Sequence, residues 1–287
     1  MLNILNCVVV EHDLRLVLLA ALICFLSCYV TVLLARRALS GGGKARLLWL
    51  CAAGASGGFG IWSTHFIAML AYDAGIFVGY DTELTLASLA VAIVLTTAGL
   101  SVATYLPDRR APIAGGAVFG GGIAAMHYLG MSALDFSGRI EWSAIYVAAS
   151  VLAGATFGVL SFGFCFAKRQ NFGMRAGATV LMALGVVSLH FTGMTAATIV
   201  PEAVTVSDST TLPPHLMVLL IAAIAFSLLF AGLATAIFAR QAEEMSNKNA
   251  RQFALLVQGV SDYAIYMLGH RWPRGELERR CRAQQGL

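Results

Sequence analysis

His65-Phe66-Ile67-Ala68-Met69, His127-Tyr128-Leu129-Gly130-Met131 and His190-Phe191-Thr192-Gly193-Met194 are three writings of one phrase: histidine, an aromatic, any residue, a small residue, methionine. The first two histidines are 62 residues apart and the last two 63. A period longer than one helix and shorter than a domain marks a repeated supersecondary unit. The register extends upstream: Gly60, Gly122 and Gly185 stand five residues before the histidines, and Gly58, Gly120 and Ala183 seven before. Matching flanks around three copies distinguish a repeat from one stray histidine in an apolar helix.

The rest of the 287-residue chain is apolar. Hydrophobic residues make up 59% and charged residues only 12%, against about 25% charged in soluble domains, and the mean hydropathy is +0.78. Hydrophobic stretches of about twenty residues recur, each long enough to cross a bilayer core. The net charge of +4 is spread between these stretches, so the chain lacks the basic patch of a nucleic-acid binder. Cys7, Cys24, Cys28, Cys51, Cys165 and Cys281 form neither a CxxC nor a disulfide framework. Cys24 and Cys28 share a helix face and read as small buried hydrophobes. The N-terminus lacks a basic n-region and a cleavage site, so the first apolar run is expected to be a retained anchor. No nucleophile–base set, P-loop or catalytic carboxylate pair stands out, and no enzymatic activity is expected of this chain.

Seven membrane helices can be drawn, approximately Leu14–Ala35, Leu47–Ala71, Leu84–Leu106, Ile113–Leu134, Trp142–Ala167, Ala176–Val200 and His215–Ala239. The predicted fold is an all-α transmembrane bundle of three parallel two-helix repeats plus one helix. Arg36, Arg37, Lys44 and Arg46, then Arg109 and Arg110, then Lys168, Arg169 and Arg175, and finally Arg240, Lys248 and Arg251 follow the odd-numbered helices. Asp73, Asp81, Glu83, Asp135, Glu141, Glu202 and Asp208 follow the even ones, with Arg139 the lone basic residue there. The positive-inside bias then puts the N-terminus outside and the C-terminus in the cytoplasm. All three phrases would lie near the outer ends of helices two, four and six. The GxxxG spacings of Gly54/Gly58 and Gly116/Gly120 allow close backbone approach, and the motif helices are expected to pack together inside the other four. Residues 1–240 form this membrane domain, 241–252 a cytoplasmic helical linker, and 253–287 a separate segment.

Histidine and methionine four apart project from one helix face. Imidazole and thioether form a soft, neutral ligand pair that suits copper better than magnesium or calcium. Three pairs exceed the needs of one Cu(I), so either one ion uses a subset or two are held. Ser63, Thr64, Thr192 or Tyr128 could orient an imidazole through its other nitrogen. The plain alternative is interhelical hydrogen bonding by the histidines and gap-filling by the methionines. A b-type haem held axially by His or Met, or a copper transporter with the pairs as stations, are the functional rivals. The aromatics after each histidine, and Trp62, read as packing.

With Met126-His127-Tyr128 on the fourth of seven helices, residues 1–240 resemble the MHYT-domain family of bacterial integral membrane sensors. The resemblance implies an inner-membrane, multi-pass sensor that binds copper near the periplasmic face and senses a diatomic gas such as O2, CO or NO. Carried over by position, it marks His65, Met69, Met126, His127, Tyr128, Met131, His190 and Met194 as metal ligands. Only the second copy is written Met-His-Tyr; the others read Thr64-His65-Phe66 and Leu189-His190-Phe191. Residues 252–268 resemble the opening of a PAS domain, and the resemblance departs from about Gly269. Family members of this build often continue into a histidine kinase or a cyclic-di-GMP enzyme. A cytoplasmic partner or lost output domain is therefore implied. The lipid bilayer is the other expected partner, a homo-oligomer is compatible with the sequence but not specified by it, and the charge distribution argues against nucleic acid.

Overall fold

The computed structural model describes residues 12–72, 78–169, 171–201, 211–212 and 216–223, scattered helical positions from 227 to 245, and 248–255. The chain divides into two units, Met1–Gly232 and Leu233–Leu287. In the second, residues 248–255 are helical. The predicted linker lies partly, and the PAS-like segment almost wholly, outside the described residues.

Among its described residues the first unit has six long helices: α1 (Leu14–Ser40), α2 (Gly43–Ala71), α3 (Thr82–Tyr105), α4 (Ala111–Ser132), α5 (Ala144–Cys165) and α6 (Phe172–Thr195). Side-chain caps fix several starts. Asp13 accepts from the Arg15 amide, Asp81 from Leu84 and Asn171 from Met174, each at 2.8 Å, which satisfies amides that a helix start otherwise leaves open. Between α1 and α2 the chain reverses through three glycines, and Gly43 takes the positive φ of 50° that side chains disfavour. Residues 216–223, within the predicted seventh helix, are also helical.

Neighbours in sequence pack side by side around the bundle, from α1 through α6, and α6 returns to α1. Inside this ring α4 also touches α2 and α6. The motif helices therefore meet at the centre with α1, α3 and α5 between them, as their shared phrase predicts. The GxxxG glycines serve a different contact from the one expected. A Cβ on Gly54 or Gly58 would collide with Thr97 or Ile93 of α3, and one on Gly116 or Gly120 with the Gly158 or Gly154 carbonyl of α5. These glycines seat α2 against α3 and α4 against α5.

Five helices, α1, α3, α4, α5 and α6, are long and apolar enough to cross a membrane, which fits a multi-pass membrane protein. The exception is α2, though it has 29 residues. Every residue from Gly60 to Met69 is buried, so its serines, threonine and histidine face protein rather than lipid, and its hydropathy no longer reports its position.

Short strands join the ends of α2, α4 and α6: β1 (Gly79–Asp81), β2 (Leu134–Asp135), β3 (Gly138–Trp142), β4 (Ala197–Pro201) and β5 (Thr211–Leu212). They pair antiparallel in the order β2-β1-β5 and as β3-β4. Val200 and Trp142, expected as helix ends, are thus strand residues; Thr198-Ile199-Val200 is β-branched and favours the pleated ladder. At the other end Arg36 donates to the Cys165 carbonyl at 3.1 Å, while Arg37 lies over Trp49 and Arg46 over Tyr105. One end is collared by strands and the other is basic.

Gly120→Val should lower the thermal stability of the detergent-solubilised protein by about 1–3 kcal/mol, the usual cost of overpacking. Gly121→Val should leave it unchanged, since nothing lies within 4 Å of a Cβ there. Equal melting temperatures would refute the close α4–α5 approach.

Candidate metal centre

His65, His127 and His190 stand five or six residues before the strand-collared ends of α2, α4 and α6. At 1.5 Å per residue that is about 8–9 Å inside. All three side chains are buried. Their Nδ1 atoms converge: His65 lies 3.3 Å from His190 and 3.2 Å from His127. One potential ligand atom from each lies within 4.8 Å of both others. The rings stand edge to face, with centroids 5.0–5.4 Å apart.

Neutral imidazoles cannot satisfy this arrangement alone. Each has one N–H and one lone pair, and all three Nε2 atoms are buried without a hydrogen-bond partner. If Nδ1 atoms donate to one another, Nε2 lone pairs are left orphaned; if none donates, three Nδ1 lone pairs face each other. An unmet buried polar group costs about 1–3 kcal/mol. A cation between the rings accepts all three Nδ1 lone pairs at once. With metal–nitrogen bonds of about 2.0–2.1 Å, adjacent nitrogens of a tetrahedral shell lie about 3.3 Å apart, close to the His65–His127 and His65–His190 spacings, while His127 and His190 offer ligand atoms within 4.8 Å of each other. The residues fit a metal ion.

The small residue of the phrase has a clear steric role. A Cβ on Gly130 would overlap Nε2 of His65, and one on Gly193 would overlap Nε2 of His127. Each of these imidazoles is thus backed by bare backbone of another motif helix, with Nδ1 turned inward. The sequence alone does not say which ring nitrogen faces the centre.

The other expected ligands are described by burial and hydrogen bonding. Met69, Met126, Met131 and Met194 are buried in the apolar core of the same helices. Tyr128 directs its hydroxyl to Ser150 Oγ at 2.6 Å, and Ser150 in turn donates to the Val147 carbonyl. Thr64 donates to the Gly60 carbonyl at 2.7 Å, and Ser63 Oγ has no partner among the described residues. None of these hydroxyls therefore shows a bond to an imidazole. The aromatics pack as expected: Phe66 against Trp62 and Tyr80, Tyr128 against Trp142. Trp62 also donates to the Thr85 carbonyl of α3 at 3.2 Å.

One residue escaped sequence reasoning. His12 bridges to Tyr72 and is buried, its ring 5.2 Å from Tyr72 and 5.4 Å from Phe191, the neighbour of His190. It lies outside the 62–63-residue period and has Leu16, not methionine, four residues on.

The fold and this site define a membrane-helix domain built of tandem histidine-bearing repeats. Those repeats are MHYT repeats: residues 58–116 and 120–178 match the MHYT family, described as a bacterial signalling protein N-terminal repeat. The chain is 34% identical over 255 residues to an "uncharacterized signaling protein" of Caulobacter vibrioides, covering 88% of this chain and 31% of that one. It is 35% identical over 189 residues to the bifunctional diguanylate cyclase/cyclic di-GMP phosphodiesterase MucR of Pseudomonas aeruginosa, covering 63% and 27%. Against the signaling protein YkoW of Bacillus subtilis the identity is 28% over 273 residues, covering 90% and 33%. The chain spans about a third of the length of these relatives. No solved structure matches.

Gly130→Ala and Gly193→Ala should each weaken binding of added Cu(I) at least about tenfold, a loss of roughly 1.4 kcal/mol, by displacing an imidazole. Gly121→Ala is the control with open space. Undiminished copper affinity in both variants, with the helix content of the parent, would show that these contacts do not position the rings.

Proposed function

We propose that this chain is the membrane sensor part of a signalling protein and that His65, His127 and His190 hold copper. The observation that carries the reading is the convergence of three buried imidazoles, with Nδ1 of His65 3.3 and 3.2 Å from those of His190 and His127 and one ligand atom of each within 4.8 Å of the others. The chemistry of the surroundings supports copper: three imidazoles and thioether-bearing helices, with no carboxylate in the cluster among the described residues, favour a soft cation. Bound copper would supply an open coordination position for a diatomic gas, O2, CO or NO. Met69, Met131 and Met194, one helical turn beyond the histidines, are the reserve thioether ligands, and Met126 and Tyr128 flank His127. Rings already in mutual contact favour a small ion over a haem.

The alternation of basic and acidic loops supports seven helices with the N-terminus and strand collar outside and the basic end in the cytoplasm, and the family resemblance supports the bacterial inner membrane as the setting. The seventh helix and the residues after 240, PAS-like from 253, would carry the signal to a cytoplasmic output domain or partner. The name of MucR supports cyclic-di-GMP turnover as one such output. Ligand binding signals only if it favours one arrangement of the bundle over another.

Elemental analysis of the detergent-purified chain after Cu(I) loading should find at least one copper, lost in a His65→Ala, His127→Ala, His190→Ala variant that remains folded. Iron with a haem absorption band would replace the copper reading. Folded protein without metal would end it.

A further inference from the structure

We infer that Cys24 and Cys28 form a second soft-cation site, a Cu(I) dithiolate adjoining the histidine triad. The inference rests on the copper reading of that triad. Four residues apart on α1, the two cysteines share a helix face, and their exposures are 1% and 3%. Their thiols lie close enough to interact with each other, and Cys24 approaches the side chain of Thr64, the residue before His65. The helices approach closely here: a Cβ on Gly60 of α2 would overlap the Ser27 side chain, and Ser27 donates to the Cys24 carbonyl at 2.9 Å. Cys51 is exposed and Cys165 lies at the far end of α5, so among the described residues this thiol pair stands alone.

Thiolates select Cu(I). When one Cu(I) enters, two S–H bonds break, two Cu–S bonds form and two protons leave, with no change of oxidation state. The product carries one negative charge. An isolated anion in this apolar interior is costly. Three neutral imidazoles around Cu(I) keep one positive charge, and the Thr64–His65 step puts it about 10 Å away, roughly a helix width. The two complexes therefore neutralise each other, and the dithiol fills only when the triad is loaded.

The test is anaerobic Cu(I) loading of the full chain in detergent, with copper counted and thiolate-to-copper charge-transfer absorption recorded. The expected counts are two for the parent, one for Cys24→Ser, Cys28→Ser, and none for the triple histidine-to-alanine variant, with the absorption present only in the parent. Cys24→Ala, Cys28→Ala should repeat the serine result, and circular dichroism checks that each variant keeps its helices. Two coppers in the cysteine variants, or one in the parent without thiolate absorption, overturns the dithiol site and leaves the triad standing. One thiolate-bound copper in the histidine variant overturns the charge coupling. No copper in folded parent protein overturns the triad reading, and this inference falls with it.

Discussion

Three imidazoles touching on the axis of a helical bundle impose the main constraint on this molecule. Their helices must approach closely at one level, and that level cannot be chosen independently on each. The repeat meets the requirement by placing each histidine five or six residues from a strand-collared end. The collar then ties those ends together through the β2-β1-β5 and β3-β4 ladders. Small residues do the rest at two radii. Gly54, Gly58, Gly116 and Gly120 let the outer helices close in, while Gly130 and Gly193 make room for the imidazoles themselves. Without either set, the histidines could not reach 3.2–3.3 Å.

Much of this was legible in the chain because repetition is a long-range signal. The phrase names the helices that meet, and the period says that they run parallel. Local patterns carry less. The strands were missed because each is two to five residues long, and Thr198-Ile199-Val200 continues an apolar helix without a break. Hydropathy gives no separate sign that α2 is central, since a helix sheltered from lipid has no need to be greasy. The glycine spacings were visible, but a spacing does not name its partner, and the partners proved to be α3 and α5. His12 left no trace because it belongs to no repeat.

The pseudo-threefold arrangement is also uneven in ways that matter. His65 is the hub, within hydrogen-bond distance of both other histidines. The small residue is glycine in two phrases and Ala68 in the first. Each flanking aromatic meets a different neighbour: Phe66 meets Tyr80, Tyr128 meets Trp142, and Phe191 meets His12. The matched MHYT stretches cover the first two phrases and end before His190. Sequence symmetry thus brings the histidines together, while their surroundings differ.

That unevenness bears on how the proposed sensor would work. A cation drawn into the cluster would set the Nδ1 positions, and Gly130 and Gly193 press directly against the opposite edges of two rings. Ring and neighbouring backbone are packed without a gap, so a shift of one motif helix must be taken up by the next. Packed interiors respond to such shifts by changing arrangement rather than by stretching. The collar braces one end of the bundle through backbone pairing. At the basic end the described ties are side chains, Arg36 to a carbonyl and Arg37 and Arg46 over rings. Single side-chain contacts yield more easily than ladders. Motion that starts at the histidines therefore finds its freedom at the basic end, where the proposed topology places the cytoplasm.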